Sequence, residues 1–277
     1  MLTETRPRSK TDPSVVGARV NRLILTRVEA VEYTSRMTKS FDVETNRRFW
    51  TTNAKVGEYQ GSENAELLLF LTQHYVGQRV LDAGAGDGTL VRTLQHATPQ
   101  ADVRGVDLVP KNDDVEQGDL TRLAHEAESY DAVFCSEVIE HMTPDDSRRA
   151  LEELTRVLAP GGHLILTTPF EERLEDKMIH CPHCDSSFHR WGHQRSFTDA
   201  DFLEIAARHR LDVVELFAIR YSRLQRFRVL GRRICGSRLF KNWMRRANGK
   251  RHLVLVARKT TAGHTGKLIA PHQRQAA

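Results

Sequence analysis

A doubly wound α/β domain with a parallel sheet is the fold class this sequence predicts, and three observations carry the prediction. Short apolar runs recur along the chain with helical stretches between them. One run, Val80-Leu81-Asp82, opens onto a loop with glycines at 84, 86 and 88. Another, Gly105-Val106-Asp107-Leu108, ends in a carboxylate 23 positions after Gly84. Glycines let the backbone turn tightly and approach a ligand with no Cβ in the way. The following helix points its unpaired N–H groups at that ligand. The later carboxylate can accept hydrogen bonds from both hydroxyls of a ribose. The set predicts a nucleoside-cofactor site.

The elements follow in order. Residues 1–13 are polar and are expected to be a disordered N-terminus. Residues 14–75 carry helical patterns and form a helical extension or lid, with Phe49, Trp50 and Tyr59 near the cofactor. Strands are expected near 78–83, 102–107, 114–118, 130–135 and 162–168, alternating with helices. The helix after residue 143 starts well, with Thr143 as N-cap, Pro144 at the first helical position and Asp146 in the first turn. Its apolar stripe is Leu151, Leu154 and Leu158, and Pro160-Gly161-Gly162 is expected to end it. Thr198 with Asp201 predicts a capping box for the next helix. Leu211 to Ile219 and Leu253 to Ala257 read as the last two strands, with residues 220–251 inserted between them and a flexible tail over 259–277.

Spacing decides which cofactor the glycines suit. A dinucleotide fingerprint runs G-x-G-x-x-G, whereas position 89 here is Thr, so the third glycine is out of register. Asp82 at the strand end disfavours pyrophosphate but suits an ammonium or sulfonium. Asp82-Ala83-Gly84-Ala85-Gly86-Asp87-Gly88 resembles motif I of the class I S-adenosylmethionine-dependent methyltransferases. Gly118-Asp119-Leu120 resembles the acidic turn that meets the adenine amino group in that family. Tyr130 to Ser136 resembles its fourth strand, and Arg156 to Gly162 followed by His163 to Pro169 its helix, Gly-rich turn and fifth strand. The resemblance covers about residues 75–260. It implies a Rossmann-like doubly wound, seven-stranded, mostly parallel sheet with the last strand antiparallel, in a methyltransferase domain over 76–258. It also implies S-adenosylmethionine as cofactor, held by Asp82, Gly84, Ala85, Gly86, Asp107, Leu108, Asp119, Leu120, Ser136 and Glu137.

Methyl transfer asks the protein for proximity, alignment and, where needed, deprotonation of the acceptor. Glu137, Glu140 and His141 follow the fourth strand, where the acceptor should arrive, and are spaced to share a helical face. Two carboxylates and an imidazole can form an acid–base pair or a metal site. In the plainer reading Glu137 closes the cofactor pocket and His141 packs locally. The E-x-x-E-H stretch resembles both ubiquinone-pathway O-methyltransferases and small-RNA 3′-terminal 2′-O-methyltransferases. In the latter the two Glu, the His and a distant His hold a divalent metal. The aromatic-acidic F-E-W that follows their distant His is absent here, where the chain reads His193-Gln194-Arg195-Ser196-Phe197-Thr198. The assignment is His141 or His193 as base and Glu140 as orienter.

Within residues 169–197, Cys181, Cys184, His189 and His193 give C-x2-C-x4-H-x3-H, a donor set suited to structural zinc in a compact knuckle. His193 also resembles an acceptor-facing histidine of the family, in which case His180, His183 or His189 would complete the metal site. Four cysteines in 277 residues make no disulfide framework, which sets a reducing, cytoplasmic location as the expectation. The net charge of +5 conceals an asymmetry: residues 220–251 hold twelve Lys or Arg and no Asp or Glu, leaving 29 basic against 36 acidic residues elsewhere. Leu224, Phe227, Leu230, Ile234, Leu239, Phe240, Trp243 and Met244 recur there at helical spacing. This basic amphipathic segment fits an anionic membrane surface, held peripherally, or RNA. No apolar run approaches the ~20 residues of a transmembrane span, and no signal-peptide stretch opens the chain.

The function expected first is O-methylation of a small-molecule, lipid-linked or saccharide acceptor. Metal-dependent 2′-O-methylation of an RNA 3′ terminus is the second reading. A non-catalytic, zinc-stabilised membrane- or nucleic-acid-binding module is the third.

Overall fold

The computed structural model describes residues 41–53, 64–220 and 251–261. The expected N-terminal tail, Tyr59, nearly all of the basic segment and most of the C-terminal tail lie outside them. Met178–Phe188 form a compact unit of their own, and the other described residues belong to the main unit.

The main unit opens with helices α1 (Val43–Asn53) and α2 (Ala65–Thr72). Strand β1 (Arg79–Ala83), helix α3 (Thr89–Ala97), strands β2 (Asp102–Asp107), β3 (Val115–Gln117) and β4 (Tyr130–Ser136) follow. Helix α4 (Pro144–Val157) then leads into β5 (Leu158–Pro169). After the hairpin β6 (Met178–His180) and β7 (Ser187–His189), helix α5 (Asp199–Arg208), β8 (Leu211–Ile219) and β9 (His252–Lys259) complete the order.

Seven strands form one sheet in the order β3-β2-β1-β4-β5-β9-β8. The pairs β1–β2, β2–β3, β1–β4 and β4–β5 are parallel, while β9 is antiparallel to both β5 and β8. This is the Rossmann-like sheet with its last strand reversed. Adjacent residues on a strand face opposite ways, so the sheet buries apolar side chains on both faces. Val80, Phe134 and Ile165 pack with Leu68 of α2 and Val91 and Leu94 of α3. Leu81, Val133 and Leu164 pack on the other face with Leu151 and Leu154 of α4 and Phe202 and Ala206 of α5. Helices on both faces are what make β1 and β4 read as continuous apolar runs.

Both expected caps form. The Thr143 hydroxyl accepts from the Asp146 N–H at 3.1 Å with Pro144 opening α4. Thr198 and Asp201 make the reciprocal capping box of α5. The helix-ending role given to Pro160-Gly161-Gly162 needs correction. Helix α4 stops at Val157, and the next residues already belong to β5. Tyr130 pairs with Leu158 but Ala132 with His163, so residues 159–162 bulge out of the ladder. Gly161 sits at φ 81, and a Cβ on Gly162 would lie 2.8 Å from the Asp131 carbonyl oxygen. The glycines serve the bulge.

Among the described residues no helix is long and apolar enough to cross a membrane. In the small unit, the Cys181 N–H donates to the Ser186 carbonyl at 2.8 Å and the Asp185 N–H to the Cys181 carbonyl at 3.0 Å. His180 is hydrogen-bonded to Ser187 at 3.1 Å.

Candidate functional site

Strand order reverses between β1 and β4, and ligands of open α/β sheets bind at the carboxyl ends of the strands beside such a switch point. A cleft of about 790 Å³ opens there. Four strand ends build it: Gly84 and Gly86 after β1, Asp107 and Leu108 at β2, Asp119 and Leu120 after β3, and Glu137 and Val138 after β4. Helix α1 adds Asn46 and Trp50, and His141 and Met142 close the remaining wall.

The glycine loop approaches closely because it must. Gly84 has φ 87, and a Cβ there would lie 2.3 Å from Val138 Cγ2. Its N–H donates to the Val106 carbonyl at 2.7 Å, which ties the loop to β2. Asp107 is fixed by two amides, from Gly86 and Val109, each donating to one carboxylate oxygen at 2.8 Å. Asp119 accepts from the N–H and the hydroxyl of Thr121, both at 2.8 Å.

Seven of the ten residues expected at the cofactor line this cleft, and Asp82, Ala85 and Ser136 do not. Asp82 is 2% exposed at the end of β1. Burial pushes its carboxyl up to about 8, and the nearby charges of Asp107 and Asp87 add to the shift. A carboxyl raised in the fold above its unfolded value stabilises nothing by ionising. The free protein loses stability as pH rises from 4 towards 8, because only the unfolded chain gives up the proton. Asp82→Asn is therefore expected to stabilise the ligand-free protein by an amount near zero at pH 4 and on the order of 4 kcal/mol at pH 7. Urea melts of both forms across that range measure it, and identical pH profiles would refute it.

Glu137, Glu140 and His141 do not share a helical face as their spacing predicted. The helical turn is limited to Ile139–His141, and Glu137 stands before it at φ 57. Glu137 turns instead towards β5 and β9, accepting from the Thr167 hydroxyl at 2.7 Å and pairing with His252 Nδ1 at 2.9 Å. Ser136 is joined to the same Thr167 hydroxyl at 2.9 Å.

Glu140 and His141 meet His193. The His141 and His193 ring centroids are 4.8 Å apart, and Trp50 stands edge-on to His141 at 5.0 Å. The Gln194 N–H donates to the Glu140 carbonyl at 2.7 Å, and the Gln194 side-chain amide donates to the His141 carbonyl. Asn46 of α1 donates to that same carbonyl at 2.8 Å. Burial holds the His141 imidazole neutral, lowering it to about 3, with the neighbouring His193 contributing. Burial also pushes Glu140 well above the ordinary carboxylate range, reinforced by Glu137 and Glu172.

Glu172 was not singled out by the sequence. It hydrogen-bonds His193 Nδ1 and the Lys177 ammonium. Burial opposes its ionisation, yet these two partners bring it down to about 2. No local motif marks Glu172, because its histidine partner comes from a turn 21 residues away. The clusters of His, Cys, Asp and Glu that gather among the described residues are Glu140–His141–His193 and Glu172–His189–His193, and neither includes a cysteine. Of the Cys2His2 set expected for zinc, His189 and His193 join carboxylates in the main unit, and Cys181 and Cys184 belong to the small unit. There a hydrogen bond from Ser186 holds the exposed Cys184 thiol below its ordinary value.

A family model described as a methyltransferase domain matches residues 56–216. Demethylmenaquinone methyltransferase of Deinococcus radiodurans is 34% identical over 103 residues, 32% of this chain and 42% of that protein. Ubiquinone biosynthesis O-methyltransferase of Paraburkholderia phymatum is 34% identical over 112 residues, 34% of this chain and 46% of that protein. The matches span under half the length of these curated relatives. Among solved structures, 1,6-didemethyltoxoflavin-N1-methyltransferase of Burkholderia thailandensis has a TM-score of 0.49 at 18% identity, covering 92% of this chain and 94% of its own.

Proposed function

The chain belongs to the class I S-adenosylmethionine-dependent methyltransferases, and on that premise we propose that it methylates a hydroxyl oxygen of a small-molecule acceptor. The single observation that carries the acceptor half is the cluster of Glu140, His141 and His193 behind the cleft wall opposite the glycine loop.

The cofactor fits the residues present, because the carboxylates of Asp107 and Asp119 line the cleft beside the side-chain-free backbone of Gly84 and Gly86. When bound, S-adenosylmethionine supplies a sulfonium-activated methyl group whose departure needs no acid. Asp107 would accept hydrogen bonds from the ribose hydroxyls, since its carboxylate is already aimed by two backbone amides. Asp119 and Leu120 would hold the base. The wall of Trp50, His141 and Met142 takes the acceptor. His141 is neutral and lines this wall, and Glu140 and His193 gather against it. This wall would hold the hydroxyl oxygen in line with the methyl group, which is where the protein's contribution to such a displacement lies. The name of the Paraburkholderia phymatum relative, an O-methyltransferase of ubiquinone biosynthesis, supports oxygen as the accepting atom.

Labelled-methyl transfer by the full chain, screened over small hydroxylated compounds, amines, lipid extract and RNA, tests the reading. Label in a base-stable methyl ether of a small hydroxylated compound is the expected product. Label entering only amines or only RNA would overturn the acceptor assignment.

A further inference from the structure

We propose that Cys181 and Cys184 form a redox couple, a dithiol that a hydroperoxide closes to a disulfide and an external thiol reopens. The two residues stand at the tip of the β6–β7 hairpin, within the small unit. The Asp185 N–H donates to the Cys181 carbonyl at 3.0 Å, which closes a single helical turn around the pair. In such a turn residues three apart have Cα atoms about 5 Å apart, inside the roughly 4.4–6.8 Å that a disulfide spans. The side chains already meet, because the Cys184 thiol is hydrogen-bonded to the Cys181 side chain. Side-chain rotation alone can bring the sulfurs into bonding distance.

The rest of the hairpin holds this turn in shape. The Cys181 N–H donates to the Ser186 carbonyl at 2.8 Å, and Asp185, at φ 58, turns the chain back towards β7. Below the tip, the His180 ring reaches Ser187 Oγ at 3.1 Å and Asp185 Oδ1 at 3.2 Å. None of the metal-ligand clusters among the described residues includes a cysteine. The partner each sulfur has is the other.

The two thiols are not equivalent. Cys184 is exposed and Cys181 is half-buried. The hydroxyl and the N–H of Ser186 both hydrogen-bond the Cys184 sulfur, which favours its thiolate, the nucleophilic form. Cys184 is therefore the attacking residue. Its thiolate displaces hydroxide from hydrogen peroxide, breaking the O–O bond and forming a sulfenic acid. The Cys181 sulfur then attacks the Cys184 sulfur, the S–O bond breaks, and the hydroxyl leaves as water with the Cys181 proton. The pair gives up two electrons and two protons, and the peroxide becomes two waters. Cys135 cannot compete, since it is 0% exposed and burial pushes its thiol well up. None of this chemistry rests on the methyl-transfer reading.

Hydrogen peroxide added to the reduced full chain, followed by acid quench, alkylation and peptide mass mapping, tests the proposal. Both cysteines fall in the one tryptic peptide between Lys177 and Arg190. The expected product is that peptide lighter by two hydrogens, blocked to alkylation and restored by dithiothreitol. It should form at least about 10-fold faster than Cys135 is oxidised. Cys181→Ser should stop at a Cys184 sulfenic acid that dimedone traps, and Cys184→Ser should slow oxidation of Cys181 by about 10-fold. Sulfinic acid at Cys184 of the parent in place of the disulfide, a disulfide joining two chains, or sulfenic acid trapped equally fast at either cysteine would overturn the proposal. So would oxidation that begins only after a chelator is added, because the sulfurs would then be metal ligands. The parent peptide map decides even if a variant fails to fold.

Discussion

Replacing Asp107 by alanine is expected to weaken S-adenosylhomocysteine binding by 100-fold or more. The carboxylate is delivered by the end of β2 and accepts from the amides of Gly86 and Val109. Those amides keep it in one orientation before any ligand arrives, so its remaining lone pairs meet a ribose without rearrangement. Hydrogen bonds to a charged group contribute about 1.5–3 kcal/mol each, and two of them correspond to about 10²–10⁴ in affinity. Alanine also releases the glycine loop by leaving the Gly86 amide unpaired. Asp107→Asn should fall between the two, because it keeps one acceptor oxygen and loses the charge. Isothermal calorimetry measures both. An alanine variant that binds within threefold of the parent would show that the ribose is held elsewhere.

Gly84→Ala carries a second large effect, on stability and binding together. The backbone there has φ 87, a conformation that costs an L-residue about 1–2 kcal/mol. The new methyl group would lie 2.3 Å from Val138 Cγ2 and 3.2 Å from Cγ1. Valine is branched at Cβ and cannot swing away cheaply, so the loop after β4 must move with it. That loop carries Glu137 on one side and the Ile139–His141 turn on the other. The expected result is a loss of about 2–4 kcal/mol in urea melts and no calorimetrically detectable cofactor binding. Val138→Ala in the same chain removes the obstacle and should restore part of both; no recovery would place the damage in the backbone alone.

Much of the fold was legible because its signals are local. The run Val80-Leu81 is apolar on both faces only because helices cover both faces of the sheet. Thr143 and Thr198 announce their helices through bonds spanning three residues. Gly84, Gly86, Asp107 and Asp119 could be placed because each sits at a strand end whose position the pattern fixes. The acceptor side was less legible. Glu137 looked like a partner of Glu140 until its positive φ turned it towards Thr167 and His252, the latter 115 residues away. Glu172 has no motif, and its role exists only because a later turn brings His193 to it. The Pro160-Gly161-Gly162 segment reads as a helix stop, and only the register shift opposite Asp131 reveals a bulge.

The strand order has a consequence for how the chain is made. Strand β9 lies between β5 and β8, so β8 has no neighbour to join until β9 exists. Ribosomes deliver about 5–20 residues per second, and Ile219 and His252 are separated by roughly thirty. For a few seconds the nascent chain therefore presents two bare apolar edges, β5 and the waiting β8. Exposed strand edges recruit other chains. A protein with this topology has good reason to engage a chaperone late in synthesis, and premature termination anywhere between 220 and 251 would leave a polypeptide whose nucleotide-binding half is complete yet prone to self-association.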